Sequence, residues 1–307
     1  MATTVAMPVS NSVTLAQKYI PRLDEVYKRE SLSAILDTSN VEWVGADTIK
    51  IYKFSTVGMA NYSRGGGFVA GDTTGAWEYF TLSVDRGRSY LLDYLDDEES
   101  MSMLVASQLS QTERTQVIPE IDAYTFATLA SKSGISTVNG ATITPGSTDV
   151  PNLIDAAEAQ MDNDEVPYEG RILFVSPACY MGLKEKIERR IINSEDNINT
   201  NVEFYDNMRI IRVPTSRFNT SVTLSSSDDS HDDAGGFTLA GNAINFMIVH
   251  PSAVIKVMKH RLVRVFSPAQ NPTADGFLVN YRYSAGVFVP DNKVKGIYLH
   301  KGTTVSG

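Results

Sequence analysis

Residues 97–133, DEESMSMLVASQLSQTERTQVIPEIDAYTFATLASKS, constrain this chain more than any other stretch. Met101, Val105, Leu109 and Thr112 recur at three- and four-residue steps, and Ile118, Ile121, Thr125 and Leu129 do the same beyond Pro119. That spacing puts each set on one face of a helix. The acidic run at residues 96–99 sits where a helix dipole favours negative charge, and Ser131-Lys132-Ser133-Gly134 reads as an exit. Straight throughout, such a helix would span roughly 55 Å at ~1.5 Å per residue, more than a compact domain needs. Proline inside a helix removes a donor and crowds the preceding turn, so a bend at Pro119 and two abutting helices are the alternatives.

The flanks are ribbons. Residues 1–18 are small, polar and β-branched and predict an extended arm; Leu23, Val26, Tyr27, Glu30 and Ala34 share a face of a short amphipathic helix over 22–36. In 48–54, Ile49 and Ile51 face one way and Lys50 and Tyr52 the other, which predicts a strand. A second strand is predicted over 76–84, with glycine-rich residues 58–72 between them. A two-stranded hairpin of this length is marginal alone in water and must find another surface. Residues 85–93 lead into the long helix. Residues 134–150 read as a loop with room for one strand, 151–161 as a helix with Pro151 in its first turn, and 171–176 as a buried strand. A helix follows from Pro177 to about Ile192. Beyond it, 202–213 predicts a strand pair around Asp206-Asn207, 215–236 a long polar loop, 243–249 a buried strand and 251–259 a short helix. Strands at 262–266, 277–289 and 295–300 close an α+β pattern with no internal repeat.

A chain of 307 residues with 42% hydrophobic content can bury one large core or two ordinary ones. A net charge of -9 argues against coating nucleic acid through a broad basic face. The single cysteine, Cys179, excludes an internal disulfide and fits a reducing compartment. No apolar run approaches the ~20 residues needed to span a bilayer, and the first residues lack the basic-then-apolar order of a signal peptide. The glycosylation patterns at Asn61 and Asn219 read as chance without secretion.

Signals for chemistry are sparse. The sequence has no GxxxxGK[ST], GxGxxG before a helix, HExxH, paired CxxC or GxSxG. Gly65-Gly66-Gly67 reads as a flexible turn and not as a phosphate cradle. Cys179 opens a helix without a nearby histidine and reads as a small buried residue. His231, among Asp228, Asp229, Asp232 and Asp233, has cation-ligating chemistry, but its serine and glycine flanks favour a solvated loop. Lys256, Lys259, His260, Arg261 and Arg264 form the densest basic cluster; without aromatic interleaving it reads as a solvated or interface face. No catalytic, cofactor or metal site is expected.

The serial order of several segments resembles the major capsid proteins of tailed bacteriophages. These are Tyr27-Lys28-Arg29-Glu30-Ser31-Leu32, then Tyr62-Ser63-Arg64-Gly65-Gly66-Gly67-Phe68 in the hairpin, then Asp85-Arg86-Gly87-Arg88-Ser89 and Val117-Ile118-Pro119-Glu120-Ile121-Asp122-Ala123-Tyr124. The run from Val287 to Tyr298 closes the series. The resemblance covers most of the chain and weakens over 134–245. It implies the α+β Hong Kong 97-type capsid fold: an N-terminal arm (1–40), an extended hairpin or E-loop (41–90), a peripheral domain with a long spine helix (91–144 and 246–307) and an axial domain (145–245). The function it implies is a non-enzymatic virion protein, assembled in the host cytoplasm. Copies of the chain would form pentamers and hexamers of an icosahedral shell around phage double-stranded DNA, without sequence-specific DNA binding or a membrane. A cellular nanocompartment shell is the alternative. A separate scaffold protein, a portal and decoration proteins are the expected partners. Some members link a hairpin lysine covalently to a neighbour; residues 57–76 contain no lysine, so no crosslink is expected. Arg64, Trp77, Tyr79, Phe80 and Arg86 are the candidate contacts between subunits, the aromatics as anchors and the arginines as partners for carboxylates. Ordering about thirty arm residues costs on the order of 30–60 kcal/mol. Offsetting that takes roughly 1,200–2,400 Å² of apolar burial, the size of an interface with other copies.

Overall fold

The computed structural model describes residues 30–38, 41–45, 47–93, 110–140, 143–186, 202–225, 235–272 and 274–304. The expected arm over 1–18, the first part of the short helix, residues 97–109 of the long helix, residues 187–192 and His231 with its aspartates lie outside them.

The strands are β1 (Trp43–Val44), β2 (Thr48–Thr56), β3 (Thr73–Thr81) and β4 (Val84–Asp93), followed by helix α1 (Ile118–Ser131) and β5 (Ser136–Asn139). Helix α2 (Val150–Asn163), β6 (Ile172–Val175), helix α3 (Pro177–Lys186), β7 (Phe204–Tyr205) and β8 (Met208–Arg212) follow. β9 (Asn219–Leu224), β10 (Phe237–Val249), β11 (Ile255–Phe266), β12 (Gly276–Phe288) and β13 (Ile297–Thr304) complete the order.

Three sheets result. A seven-stranded sheet has the order β5-β13-β10-β6-β8-β7, with β9 on the N-terminal part of β10. β5 runs parallel to β13 and β6 parallel to β8. Two further sheets have three strands each, β1-β2-β3 and β11-β12-β4. The seven-stranded sheet is covered on both faces. Ile172 and Phe174 of β6 pack with Phe126 and Leu129 of α1, while Leu173 and Val175 pack with Ile154 and Met161 of α2 and Leu183 of α3. Burial on both sides is why β6 reads as an unbroken apolar run, ILFV, and not as an alternation. Asp206 and Asn207 hold φ of 39° and 66° between β7 and β8, the left-handed pair a two-residue hairpin turn requires.

Helix α1 packs between sheets. Phe126, Leu129 and Ala130 face the large sheet, and Val117 and Ile121 meet Val84, Tyr281, Tyr283 and Ala285 of the β11-β12-β4 sheet. Contact on two sides buries far more than the single stripe its periodicity predicted. The helix is continuous from residue 110 to 131. Glu113–Val117 forms a π turn in which the Ile118 N–H donates to the Glu113 carbonyl. That widened turn lets the hydrogen-bond ladder re-register around Pro119, which has no N–H to give. The helix stops at Ser131, with Lys132 extended and Gly134 at φ 89°, where the exit was expected.

Four expectations need correction. Residues 251–259 are not a helix: Pro251–Ala253 is one 3-10 turn and β11 begins at Ile255. Its β-branched alternation, Ile255, Val257, Val263 and Val265, pairs along β12. The polar loop over 215–236 contains β9, where half-buried Thr220, Val222 and Leu224 alternate with exposed Ser221 and Thr223. The second hairpin strand ends at Thr81, and the segment leading to the helix is itself a strand, β4, paired along β12. Within 30–36 only Ala34–Leu36 is helical, as a single 3-10 turn, because Asp122 takes the backbone of the preceding residues.

Candidate functional site

β2 and β3 pair from Thr48↔Thr81 to Thr56↔Thr73, an antiparallel ribbon nine residues long. At ~3.4 Å per residue it reaches about 30 Å from its base. Alternation gives it two unlike faces. One is fastened to the globule at the base: Ile49 is buried, Phe80 lies against Phe288 with ring centroids 5.2 Å apart, and Asp291 bridges Lys53 (3.4 Å) and Lys132 (3.1 Å). The Asp291 backbone N–H also donates to Glu78 of β3. Hydrogen bonds from Lys132 and Lys53 hold the Asp291 carboxyl below the usual carboxylate range.

The opposite face carries Lys50, Tyr52, Phe54, Trp77 and Tyr79. Tyr52 and Trp77 meet edge to face at 5.0 Å, and the Lys50 ammonium sits 4.5 Å above the Trp77 ring. Gly75 makes this possible, since a Cβ there would lie 1.8 Å from the Tyr52 hydroxyl. Trp77 remains 48% exposed and Tyr79 63%, far from the burial such rings reach in a core.

At the tip, Ser63 and Gly67 exchange backbone hydrogen bonds around Arg64, and the Gly66 N–H donates to the Ser63 hydroxyl. Gly67 holds φ 74°, which a side chain would strain. Tyr62 and Phe68 flank this turn with centroids 5.0 Å apart. Phe68 is 92% exposed, and Met59, in the same connection between the strands, is fully exposed. Arg64 is exposed at the same turn.

The five candidates therefore separate. Arg64, Trp77 and Tyr79 lie on the exposed ribbon, and Phe80 lies at its base. Arg86 is on β4, where it makes a two-pronged pair with Glu120 of α1 at 2.9 and 3.2 Å. It also donates to the carbonyls of Ser225 and Gly236. Tyr283 donates to the same Glu120 at 2.6 Å, and burial together with that carboxylate pushes its phenol up.

A buried polar knot was missed. Asp122, fully buried on α1, accepts from the Ser31 hydroxyl (2.9 Å), the Ser33 hydroxyl (2.6 Å) and the backbone N–H groups of Leu32 and Ser33. Arg217 pairs with it at 2.9 Å. Lys256 donates to the Ser33 hydroxyl at 2.9 Å and pairs with Asp37 at 2.7 Å. This knot ties the root of the N-terminal segment to α1 and β11. Its sequence signal was a carboxylate inside the apolar periodicity of the helix, a charge that burial forbids unless it is paired. The basic cluster divides accordingly: Lys256 is buried, contrary to the solvated or interface face expected, and Lys259 lies 4.3 Å above the Trp43 ring.

Cys179 is buried, and desolvation pushes its thiol up to about 12, which leaves it unreactive. Among the described residues no group of three or more His, Cys, Asp or Glu converges to hold a metal, and no helix is long and apolar enough to cross a membrane.

No protein-family model and no curated protein sequence matches the chain. Solved structures do. The capsid structure of the cyanophage P-SCSP1u superposes with a TM-score of 0.66 at 14% identity, over 99% of this chain and 100% of that one. The asymmetric unit of the bacteriophage PhiM1 mature capsid gives 0.64 at 14% identity, over 99% and 98%. A structure from Mycobacterium phage Che8 gives 0.64 at 14% identity, over 95% and 98%. The fold of this chain is that of bacteriophage capsid structures.

Proposed function

We propose that this chain is the major capsid protein of a tailed bacteriophage, with the Hong Kong 97-type architecture. Copies assemble into pentamers and hexamers that close into an icosahedral shell around double-stranded DNA. One observation carries the reading: a nine-residue ribbon, aromatic along its free face, projects from a body with a phage capsid fold. In this reading residues 41–90 are the E-loop and α1 belongs to the spine. The peripheral unit (91–144 and 246–307) and the axial unit (145–245) share the seven-stranded sheet. Arg64, Trp77 and Tyr79 meet a neighbouring subunit, Phe80 fixes the ribbon base, and Arg86 stiffens the body that the ribbon leaves. A separate scaffold, a portal and decoration proteins act on the shell in the host cytoplasm.

Energetics favour many copies over a pair. Four aromatic side chains bury about 150–250 Å² each when fully covered. With roughly half of that still available, covering Tyr52, Phe54, Trp77 and Tyr79 contributes about 10 kcal/mol at ~25 cal/mol per Å². Association itself costs an estimated 4–15 kcal/mol. A single ribbon contact is therefore marginal, and a closed shell that repeats it on every subunit is not.

Negative-stain electron microscopy of the purified full chain tests this. Uniform closed particles are expected, with nucleic acid inside those recovered from virions. Particles that enclose a protein cargo instead would favour the nanocompartment alternative. A monodisperse monomer with a hydrogen-exchange-protected ribbon would sink the proposal.

A further inference from the structure

Beside the ribbon base lies a cavity of about 200 Å³. Its apolar walls are Ile121 and Tyr124 of α1, Val257 and Met258 of β11, and Tyr283 and Ala285 of β12; Glu120, held by Arg86, and Lys256, held by Asp37, also line it. Asp37 and Met258 stand at its open side, with the Asp37 side chain 58% exposed and Met258 44%. An apolar cavity of about 150 Å³ already accommodates a benzene ring, so this one has room for a phenylalanine side chain.

The same chain presents such a ring. Phe68 is almost fully exposed, yet it is braced by Tyr62 on a turn that the Ser63–Gly67 hydrogen bonds hold in shape. Bracing before contact lowers the ordering cost of docking. Arg64, on that turn, brings a cation toward a cavity whose open side carries Asp37, a carboxylate that pairs with Lys256 at 2.7 Å and still leaves its side chain 58% exposed.

The ring cannot enter the cavity of its own chain. Val84, three residues beyond the end of β3, lines the cavity, whereas Phe68 lies past the far end of the paired strands. About 30 Å of registered ribbon separates the two. Only a second copy can bring them together, head to tail, a contact that closes into a ring where the rotation between copies allows it.

The geometry points to a knob-and-socket contact between subunits. Phe68 at the ribbon tip of one copy seats in the Ile121–Tyr124–Met258 cavity of a second copy, with Arg64 against that copy's Asp37. This rests on the shell-forming reading and adds the docking site to it.

Phe68→Cys and Met258→Cys, combined in one full-length chain, test the contact. Cys179 is buried and does not compete. Oxidised shells of the double variant should lose the monomer band on a non-reducing gel and show a ladder of linked subunits, while either single variant stays monomeric. Shells that form without a ladder, or with the link inside one chain, overturn this contact and leave the shell reading standing. Failure of the unmodified chain to form shells sinks both. Should the double variant not assemble, hydrogen exchange on unmodified shells decides. Residues 119–125 and 255–259 should exchange at least about tenfold more slowly in shells than in free subunits, and Phe68→Ala shells should lose that protection. Protection that persists in Phe68→Ala shells assigns the cavity to another occupant, such as residues 1–29, and overturns the proposal.

Discussion

Asp122 and Glu158 illustrate opposite uses of a carboxylate. Asp122 is buried and answered by an arginine, two hydroxyls and two backbone N–H groups. Asp122→Ala strips all of these of one partner at once and should cost about 3–5 kcal/mol in urea unfolding of the subunit. Asp122→Asn, which keeps the acceptor oxygen, should cost less. Glu158 on α2 is pushed up to about 7, chiefly by burial and then by Asp206; Asp155 and Asp162 add to the shift and Arg171 opposes it. The folded chain thus holds a proton that the unfolded chain, at its ordinary value of 4.5, releases. Stability from this group is complete below the unfolded value and is lost as pH rises through about 7. Glu158→Gln should therefore be neutral at about pH 5 and stabilising by about 1–2 kcal/mol at about pH 8, after discounting for partial exposure. Denaturant melts of both chains at the two pH values check this; equal differences at both would remove Glu158 as the source. At this scale the sequence was legible where polarity matched placement, as at Arg64, and silent where it did not. Nothing local distinguishes Lys256, which is buried, from Lys259, which is not.

Strands that carry a clear apolar pattern of their own were readable whether the partner lies near or far, and strands of polar or mixed composition were not. β2 and β3 announce themselves by alternation and a glycine-rich connection. β6 and the β7–β8 turn were equally plain. β4, of mixed composition, was read as a lead-in because what makes it a strand is β12, which lies far from it in sequence; of β11 only the first part was missed, 251–259 being read as a helix and 262–266 as a strand. β9 hid behind a polar composition. The free face of the β2–β3 ribbon makes two predictions at this scale. Hydrogen exchange in unassembled subunits should be fast over residues 57–72, where few backbone groups are paired, and should slow on assembly. Trp77→Ala should leave subunit stability within about 1 kcal/mol, because the ring is half exposed, yet lower the heat tolerance of particles by the equivalent of about 2 kcal/mol or more per contact. Particles with unchanged heat tolerance would show that Trp77 is not an anchor.

For the whole molecule, charge and fastening decide behaviour. A formal net charge of -9 makes copies repel one another. Raising ionic strength from about 0.01 M to about 0.15 M shortens the screening length from roughly 30 Å to 8 Å, so assembly followed by light scattering should accelerate. Slower assembly at higher salt would mean that ion pairs such as Arg64 with a neighbour's carboxylate outweigh the general repulsion. The way the outlying parts are fastened matters as much. The ribbon base is tied through Asp291 to Lys132 at the end of α1, and the root of the N-terminal segment is tied to Asp122 in its middle. Roughly ten residues, or about 15 Å of one rigid rod, separate the two ties. On the shell-forming reading, a subunit that tilts to suit a sharper or flatter part of a surface therefore carries the ribbon base and residues 31–33 through the same angle, so curvature reaches both attachments by a single degree of freedom.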